Sequence, residues 1–201
     1  MKTALVFPGQ GSQYLKMGED FYNNYSAYKN LIDKIDATTD CDFLKNIYDE
    51  DGNINDPKVT QFAIFSMSVG ITNIINELGI NFNAVAGFSL GEYAAYSAKK
   101  VVTNDDLIKI LNERANLVIA KVDRGGMFAV TNLDFPEVSK VCEKISAETG
   151  KIVEAVNYNS PVQTVIAGDI ATIEANLEQF TTAGAKRVIK LNVAAAFHSS
   201  Y

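Results

Sequence analysis

The chain has 201 residues, 47% of them hydrophobic and 21% charged, with a formal net charge of −6 and one histidine. This composition excludes disorder and supplies enough apolar surface for a substantial core. The acidic balance argues against a nucleic-acid partner, which needs clustered Lys and Arg. Cys41 and Cys142 stand far apart without metal-ligand spacing, so the expectation is reduced thiols, no metal and a cytoplasmic setting. No signal peptide is read at the start, where the apolar run 3–7 gives way to Pro8-Gly9. No segment is expected to reach the apolar length that spans a bilayer, so no membrane partner is assigned.

Residues 3–7 read as a buried first strand, followed by the loop Pro8-Gly9-Gln10-Gly11-Ser12-Gln13. A dinucleotide fingerprint needs a third glycine where Tyr14 stands, and a phosphate loop needs Gly-Lys-Ser/Thr; neither is present. The glycines instead imply a backbone that approaches a ligand or another turn closely. After a polar stretch with a helical segment around 27–35, Asp56-Pro57 opens a long apolar helix as N-cap and first residue, stopped by Gly79. A strand at 83–86 then feeds Gly87-Phe88-Ser89-Leu90-Gly91, with helix formers after it.

Gly-x-Ser-x-Gly between strand and helix is the nucleophile-elbow pattern. The turn tolerates no bulky Cβ beside the serine, and it lifts Ser89 Oγ to a helix N-terminus, where backbone N–H groups stabilise developing negative charge. Strand, long helix, strand, elbow, helix is the order of an α/β fold with a parallel sheet, whose ligands bind at the carboxyl ends of the strands.

Thr103 and Asp106 make a capping-box-like start to a helix over 105–121. Its apolar stripe runs Leu107, Ile110, Leu111, Leu117, Val118, and the period places Arg114 on that stripe. A charge there is either an ion-paired or snorkelling structural residue, or a fork for a carboxylate supplied by the substrate. Beyond 123–126 the pattern becomes β-α-β-β-α-β: strands at 127–131, 152–158, 164–167 and 187–193, helices at 136–149 and 170–182. That is the ferredoxin-like unit. It divides the chain into a large subdomain, 1–124 with 193–201, and an inserted small one, 125–192. His198 ends a run of small residues; it is either a packing residue or the base that the nucleophile needs.

The 8–13 loop, the elbow with Glu92-Tyr93, and Ala196-Phe197-His198-Ser199 together resemble the malonyl-CoA:acyl-carrier-protein transacylase family, and Asn157-Tyr158-Asn159-Ser160-Pro161 is similar to a further family stretch. The resemblance implies an α/β-hydrolase-like large subdomain with a ferredoxin-like insert. It implies an acyltransferase of fatty-acid biosynthesis, with no permanently bound cofactor, a coenzyme A thioester as substrate, and malonyl-CoA and acyl carrier protein as partners. By position, Ser89 takes the malonyl group and His198 is the base. The backbone N–H groups of Gln10 and Leu90 form the oxyanion hole, Arg114 binds the malonyl carboxylate, and Gln61 and Asn157 stand near the pocket. Phe197 fits malonyl rather than bulkier methylmalonyl units.

The chain departs from the family in two places. Most members carry His where Phe88 stands, and the family continues for about a hundred residues past its histidine segment, a span of subdomain size. That part supplies a carbonyl that orients the histidine, so the chain is expected to be a partial form. Two other readings use the same residues. A serine thioesterase would need a buried acid, for which Asp169 is the candidate, and a partial form could bind coenzyme A or carrier protein without turnover.

Overall fold

The structure, a computed structural model, describes residues 2–120, 125–193 and 195–201. The chain divides into two compact units, Met1–Leu117 and Val118–Tyr201.

In the first unit β1 (Ala4–Phe7) pairs in parallel with β2 (Ala84–Gly87), Phe7 opposite Gly87. Between them the chain makes α1 (Glu19–Asn24), α2 (Ser26–Thr38), α3 (Phe43–Tyr48) and α4 (Pro57–Glu77). After β2 come α5 (Gly91–Ala98) and α6 (Asn104–Ala120), with the unit ending along α6. The start of α4 follows the sequence signal: the Asp56 carboxylate accepts from the Lys58 N–H at 2.9 Å and the Val59 N–H at 3.4 Å, with Pro57 in the first turn. Contrary to the sequence expectation, α4 is long and apolar enough to cross a membrane by length and composition. Yet 72% of its apolar window is buried: Val59, Phe62, Phe65 and Val69 join Phe7, Tyr28, Ile32, Phe43 and Leu107 in one core.

That core leaves no room at Gly70 of α4. A Cβ added there would stand 2.0 Å from Cδ2 of Tyr28, a side chain with 0% exposure. Helix propensity alone would favour Ala over Gly by about 1 kcal/mol, but forcing a methyl against a closed aromatic core costs about 3 kcal/mol. Gly70→Ala is therefore expected to lower stability by about 2 kcal/mol net, read as a lower denaturant midpoint at unchanged m-value.

The second unit is built from β3 (Gly126–Thr131), α7 (Phe135–Thr149), β4 (Val153–Ser160), β5 (Gln163–Gly168), α8 (Ile170–Ala175), α9 (Leu177–Thr182) and β6 (Arg187–Lys190). Its sheet runs β4-β5-β3-β6 with every neighbour antiparallel, which is the ferredoxin-like arrangement. Alternation along the strands separates two faces. Phe128, Val130, Val153 and Ile166 pack with Val138, Cys142, Ile173 and Phe180 of the helices. Met127, Val165 and Ala167 pack instead with Ala196, Val193, Phe197 and Tyr201. Of the segment 193–201, which the sequence reading gives to the first subdomain, Val193, Ala196, Phe197 and Tyr201 are members of this cluster.

Several expected elements differ in detail. The helix over 170–182 breaks at Asn176, whose side chain donates to the Thr172 carbonyl at 2.8 Å and accepts from Gln179 Nε2 at 3.0 Å, competing with the helical ladder. The last strand stops at Lys190 rather than 193, because the Val193 N–H turns back to the Leu191 carbonyl at 3.0 Å. At the start of α6, Thr103 Oγ1 accepts from the Asp106 N–H at 3.2 Å and donates to the Asp106 carboxylate at 2.7 Å, so the capping signal holds with a side-chain return bond. Residue 121 of the helix expected over 105–121, residues 123–124 of the joint expected at 123–126 and residue 194 of the segment at 193–198 lie outside the described residues.

Candidate active site

β2 ends at Gly87 and α5 begins at Gly91, so Phe88, Ser89 and Leu90 make the turn. Ser89 sits at φ +50°, a left-handed conformation that costs a side-chain-bearing residue about 1–2 kcal/mol. The surrounding backbone enforces it. Phe88 N–H donates to the Phe7 carbonyl at 2.9 Å, Gly91 N–H to Phe88 at 2.9 Å and Glu92 N–H to Ser89 at 3.0 Å. A Cβ on Gly87 would fall 2.2 Å from the Glu92 nitrogen, and one on Gly91 would fall 2.3 Å from the Phe7 carbonyl oxygen. Both glycines are thus required by neighbouring backbone, which cannot move aside. The Leu90 N–H stands at the head of α5.

The 8–13 loop reaches the same place. A Cβ on Gly9 would meet the Phe88 carbonyl oxygen at 2.6 Å, so loop and elbow touch backbone to backbone, one residue before Gln10. Ser12 Oγ donates to the Gly9 carbonyl at 2.8 Å, and Gln13 accepts from the Gly11 N–H at 2.8 Å while donating to Asn55 at 3.0 Å. These bonds fix the loop from its far side. Phe88 is half exposed and lies along Gly9.

Arg114 is half-buried on α6. The buried stripe of that helix is Leu107, Ile108, Leu111 and Ala115, while Ile110 and Leu117, which the sequence places inside, are exposed. Arg114 flanks the stripe, and its Nη1 donates to Gln61 Oε1 at 2.5 Å. Gln61, 2% exposed, donates in turn from Nε2 to the Pro57 carbonyl at 3.1 Å, so α4 holds it rigidly. Burial pulls the Arg114 guanidinium below its ordinary pKa, and the neighbouring Tyr93 hydroxyl opposes that shift. Tyr93 lies on α5, one turn after Ser89. Sequence reasoning did not single out Tyr93, and it found Gln61 without its role as an acceptor; only the approach of α4, α5 and α6 shows both.

His198 and Asn157 belong to the second unit. His198 is an exposed turn residue at φ +65°. Ser199 Oγ closes that turn on the Ala196 carbonyl at 2.7 Å. Phe197 packs in the apolar cluster of Met127 and Val165. Asn157 lies half-buried on β4 opposite Val165, bracketed by two register irregularities. Asp169, the acid a thioesterase triad would need, is partly exposed and caps α8: its Oδ1 accepts from the Thr172 N–H at 2.8 Å, and hydrogen bonding from the Thr172 side chain, then from that N–H, lowers its pKa. Burial pushes the Cys142 thiol up to about 12 and raises that of Cys41, so neither offers a thiolate nucleophile. Among the described residues no group of three His, Cys, Asp or Glu is arranged to hold a metal ion.

The acyl transferase domain family matches residues 4–201. A malonyl CoA-acyl carrier protein transacylase of Staphylococcus aureus (strain MRSA252) is 36% identical over 202 residues, 99% of this chain and 65% of that protein. The crystal structure of MCAT from Streptococcus pneumoniae superposes with a TM-score of 0.87 at 38% identity, covering 98% of this chain and 65% of that one. A malonyl-transacylase solved in complex with its type II PKS acyl-carrier protein gives a TM-score of 0.89 at 30% identity, over 98% and 64%. The chain therefore spans about 65% of the length of the curated relative and of the first of these structures. With an elbow enforced by backbone, a loop seated against it and a family match running from the first strand to the last residue, this α/β chain belongs to the acyl transferase domain family.

Proposed function

We propose that the chain carries the site of a malonyl-CoA:acyl-carrier-protein transacylase, in which Ser89 is transiently acylated. The observation that carries this reading is Arg114 of α6: a half-buried guanidinium held by Gln61 and set beside Tyr93, which lies on α5 just after the Ser89 turn. A hydrolase of neutral esters has no use for such a fork, whereas a malonyl group brings a free carboxylate that fits it in a bidentate pair.

The reaction follows from the residues. Ser89 Oγ attacks the thioester carbonyl as His198 accepts the hydroxyl proton. The tetrahedral oxyanion is stabilised by the Gln10 and Leu90 N–H groups. Collapse expels the coenzyme A sulfur, which takes the proton from His198, and leaves malonyl-Ser89. The phosphopantetheine thiol of the carrier protein then gives its proton to His198 and attacks the ester, and Ser89 regains its proton as the ester breaks. Gln61 fixes Arg114, Asn157 stands near the pocket, and no bound cofactor takes part. The division into a large subdomain (1–124 with 193–201) and an insert (125–192) belongs to the same proposal, as does a cytoplasmic setting with reduced thiols at Cys41 and Cys142.

Incubation with malonyl-CoA and holo acyl carrier protein, with transferred malonyl and released malonate quantified together, tests the reading. Transfer should dominate, because the Asp169 carboxylate that hydrolysis would enlist is engaged in capping α8. Malonate release outpacing transfer would assign the elbow to a thioesterase instead.

A further inference from the structure

The turn that carries His198 is tethered from an unexpected side. Glu154 lies on β4, the edge strand of the second unit's sheet. Its cross-strand partner, Ala167, packs in the cluster that holds Ala196, Phe197 and Tyr201, so Glu154 shares that face. A carboxylate bordering an apolar cluster is costly unless its oxygens are hydrogen-bonded. Both are: Oε2 accepts from the Ser200 backbone N–H at 2.8 Å, and Oε1 accepts from the Ser200 hydroxyl at 2.5 Å. Glu154 and His198 also line one cavity, together with Glu143 and Cys142.

Within the turn, Ser199 Oγ donates to the Ala196 carbonyl at 2.7 Å and accepts from the Tyr201 N–H at 3.3 Å. His198 itself stands at φ +65°. A side-chain-bearing residue keeps that conformation only where its surroundings over-determine it. The bonds to Ser199 are local and would travel with the turn. The Glu154 pair ties the turn to the sheet across 46 residues of sequence, beside the apolar packing of Phe197 and Tyr201.

We propose that Glu154 is a positioning residue for His198: its carboxylate, by gripping Ser200 twice, fixes the direction in which the imidazole leaves the turn. The proposal rests on the reading of His198 as the catalytic base. Glu154 touches neither substrate nor the reacting atoms, and it acts through Ser200.

The protein has one histidine, so a long-range 1H–15N correlation spectrum of the full chain reports this imidazole alone. Glu154→Ala is expected to broaden or shift the two ring-nitrogen signals toward tautomer averaging. It should also slow Ser89 acylation by malonyl-CoA about ten- to a hundredfold, the usual worth of an orienting partner, with KM unchanged. Ser200→Ala, which removes one of the two bonds and leaves the sheet untouched, should give a smaller change in the same direction. It also keeps the question open to test if Glu154→Ala unfolds. Glu154→Gln, which retains an acceptor, should restore much of the wild-type spectrum. An imidazole spectrum unaltered in folded Glu154→Ala and in Ser200→Ala would overturn the proposal. His198→Ala separates the two ideas: acylation lost there while both tether variants match wild type removes Glu154 alone, whereas acylation at the wild-type rate in His198→Ala removes the base reading and the positioning role with it.

Discussion

Arg114→Ala is expected to reduce acylation by malonyl-CoA by roughly two to three orders of magnitude while leaving acylation by acetyl-CoA near its starting level. Truncating one partner of a buried, hydrogen-bonded charge pair costs about 2–5 kcal/mol, and each 1.4 kcal/mol is tenfold. The whole penalty should fall on the substrate that carries a free carboxylate, because acetyl-CoA has nothing for the fork to hold. Arg114→Lys should recover only part of the loss: an ammonium supplies charge but not two parallel N–H bonds. Gln61→Ala, which frees the guanidinium from its 2.5 Å bond, should raise KM for malonyl-CoA with a lesser effect on the acetyl reaction. Parallel steady-state measurements with the two thioesters check all three variants. Equal losses for both substrates in Arg114→Ala would mean that the arginine supports the fold and not the carboxylate.

Gly91→Ala should cost more than any helix scale allows. Gly91 is the first residue of α5, where propensity alone would make alanine favourable by about 1 kcal/mol. Sterics reverse the sign. The new Cβ would lie 2.3 Å from the Phe7 carbonyl oxygen and 2.7 Å from that of Pro8, both backbone atoms at the end of β1. Relief requires α5 to lift away from β1, which moves the Leu90 N–H and the Ser89 turn together. A loss of about 3–5 kcal/mol in stability is expected, in the range reserved for overpacking against groups that cannot yield. Acylation should fall even in the fraction that stays folded, since a displacement of about 1 Å at a reacting group costs on the order of a hundredfold. Chemical denaturation and single-turnover acylation at low temperature measure the two effects separately. A stabilised variant would show that propensity, not the close approach of β1, governs this position.

How much of this was legible in the residues depends on how local the physics is. The elbow was readable because its demand is steric and confined to five residues: Gly87 and Gly91 are glycines since backbone passes within 2.2–2.3 Å of where a Cβ would be. The ferredoxin-like order was readable because its strands and helices alternate at short, regular intervals with Asp134 and Asp169 capping the helices. The helical period marks Arg114 through an inward stripe wider than the one that is buried. Ile110 and Leu117 are exposed, and Ala115 completes the buried face instead, so the arginine lies at the border of that face. Its partners were not legible, since Gln61 stands 53 residues away on α4 and only packing brings it within reach. The same holds for Glu154 and Ser200. The break at Asn176 escaped periodicity because a side-chain amide competing for helix bonds leaves the apolar pattern intact.

The most direct test of the central claim is the intact mass of the purified chain after mixing with malonyl-CoA, beside a Ser89→Ala control. One malonyl adduct is expected on the wild-type chain, mapped by peptide digestion to Ser89, absent from Ser89→Ala and much weaker with acetyl-CoA. A folded chain that gains no mass, or gains it equally in the Ser89→Ala control, would contradict the assignment of the elbow as the site of acyl transfer.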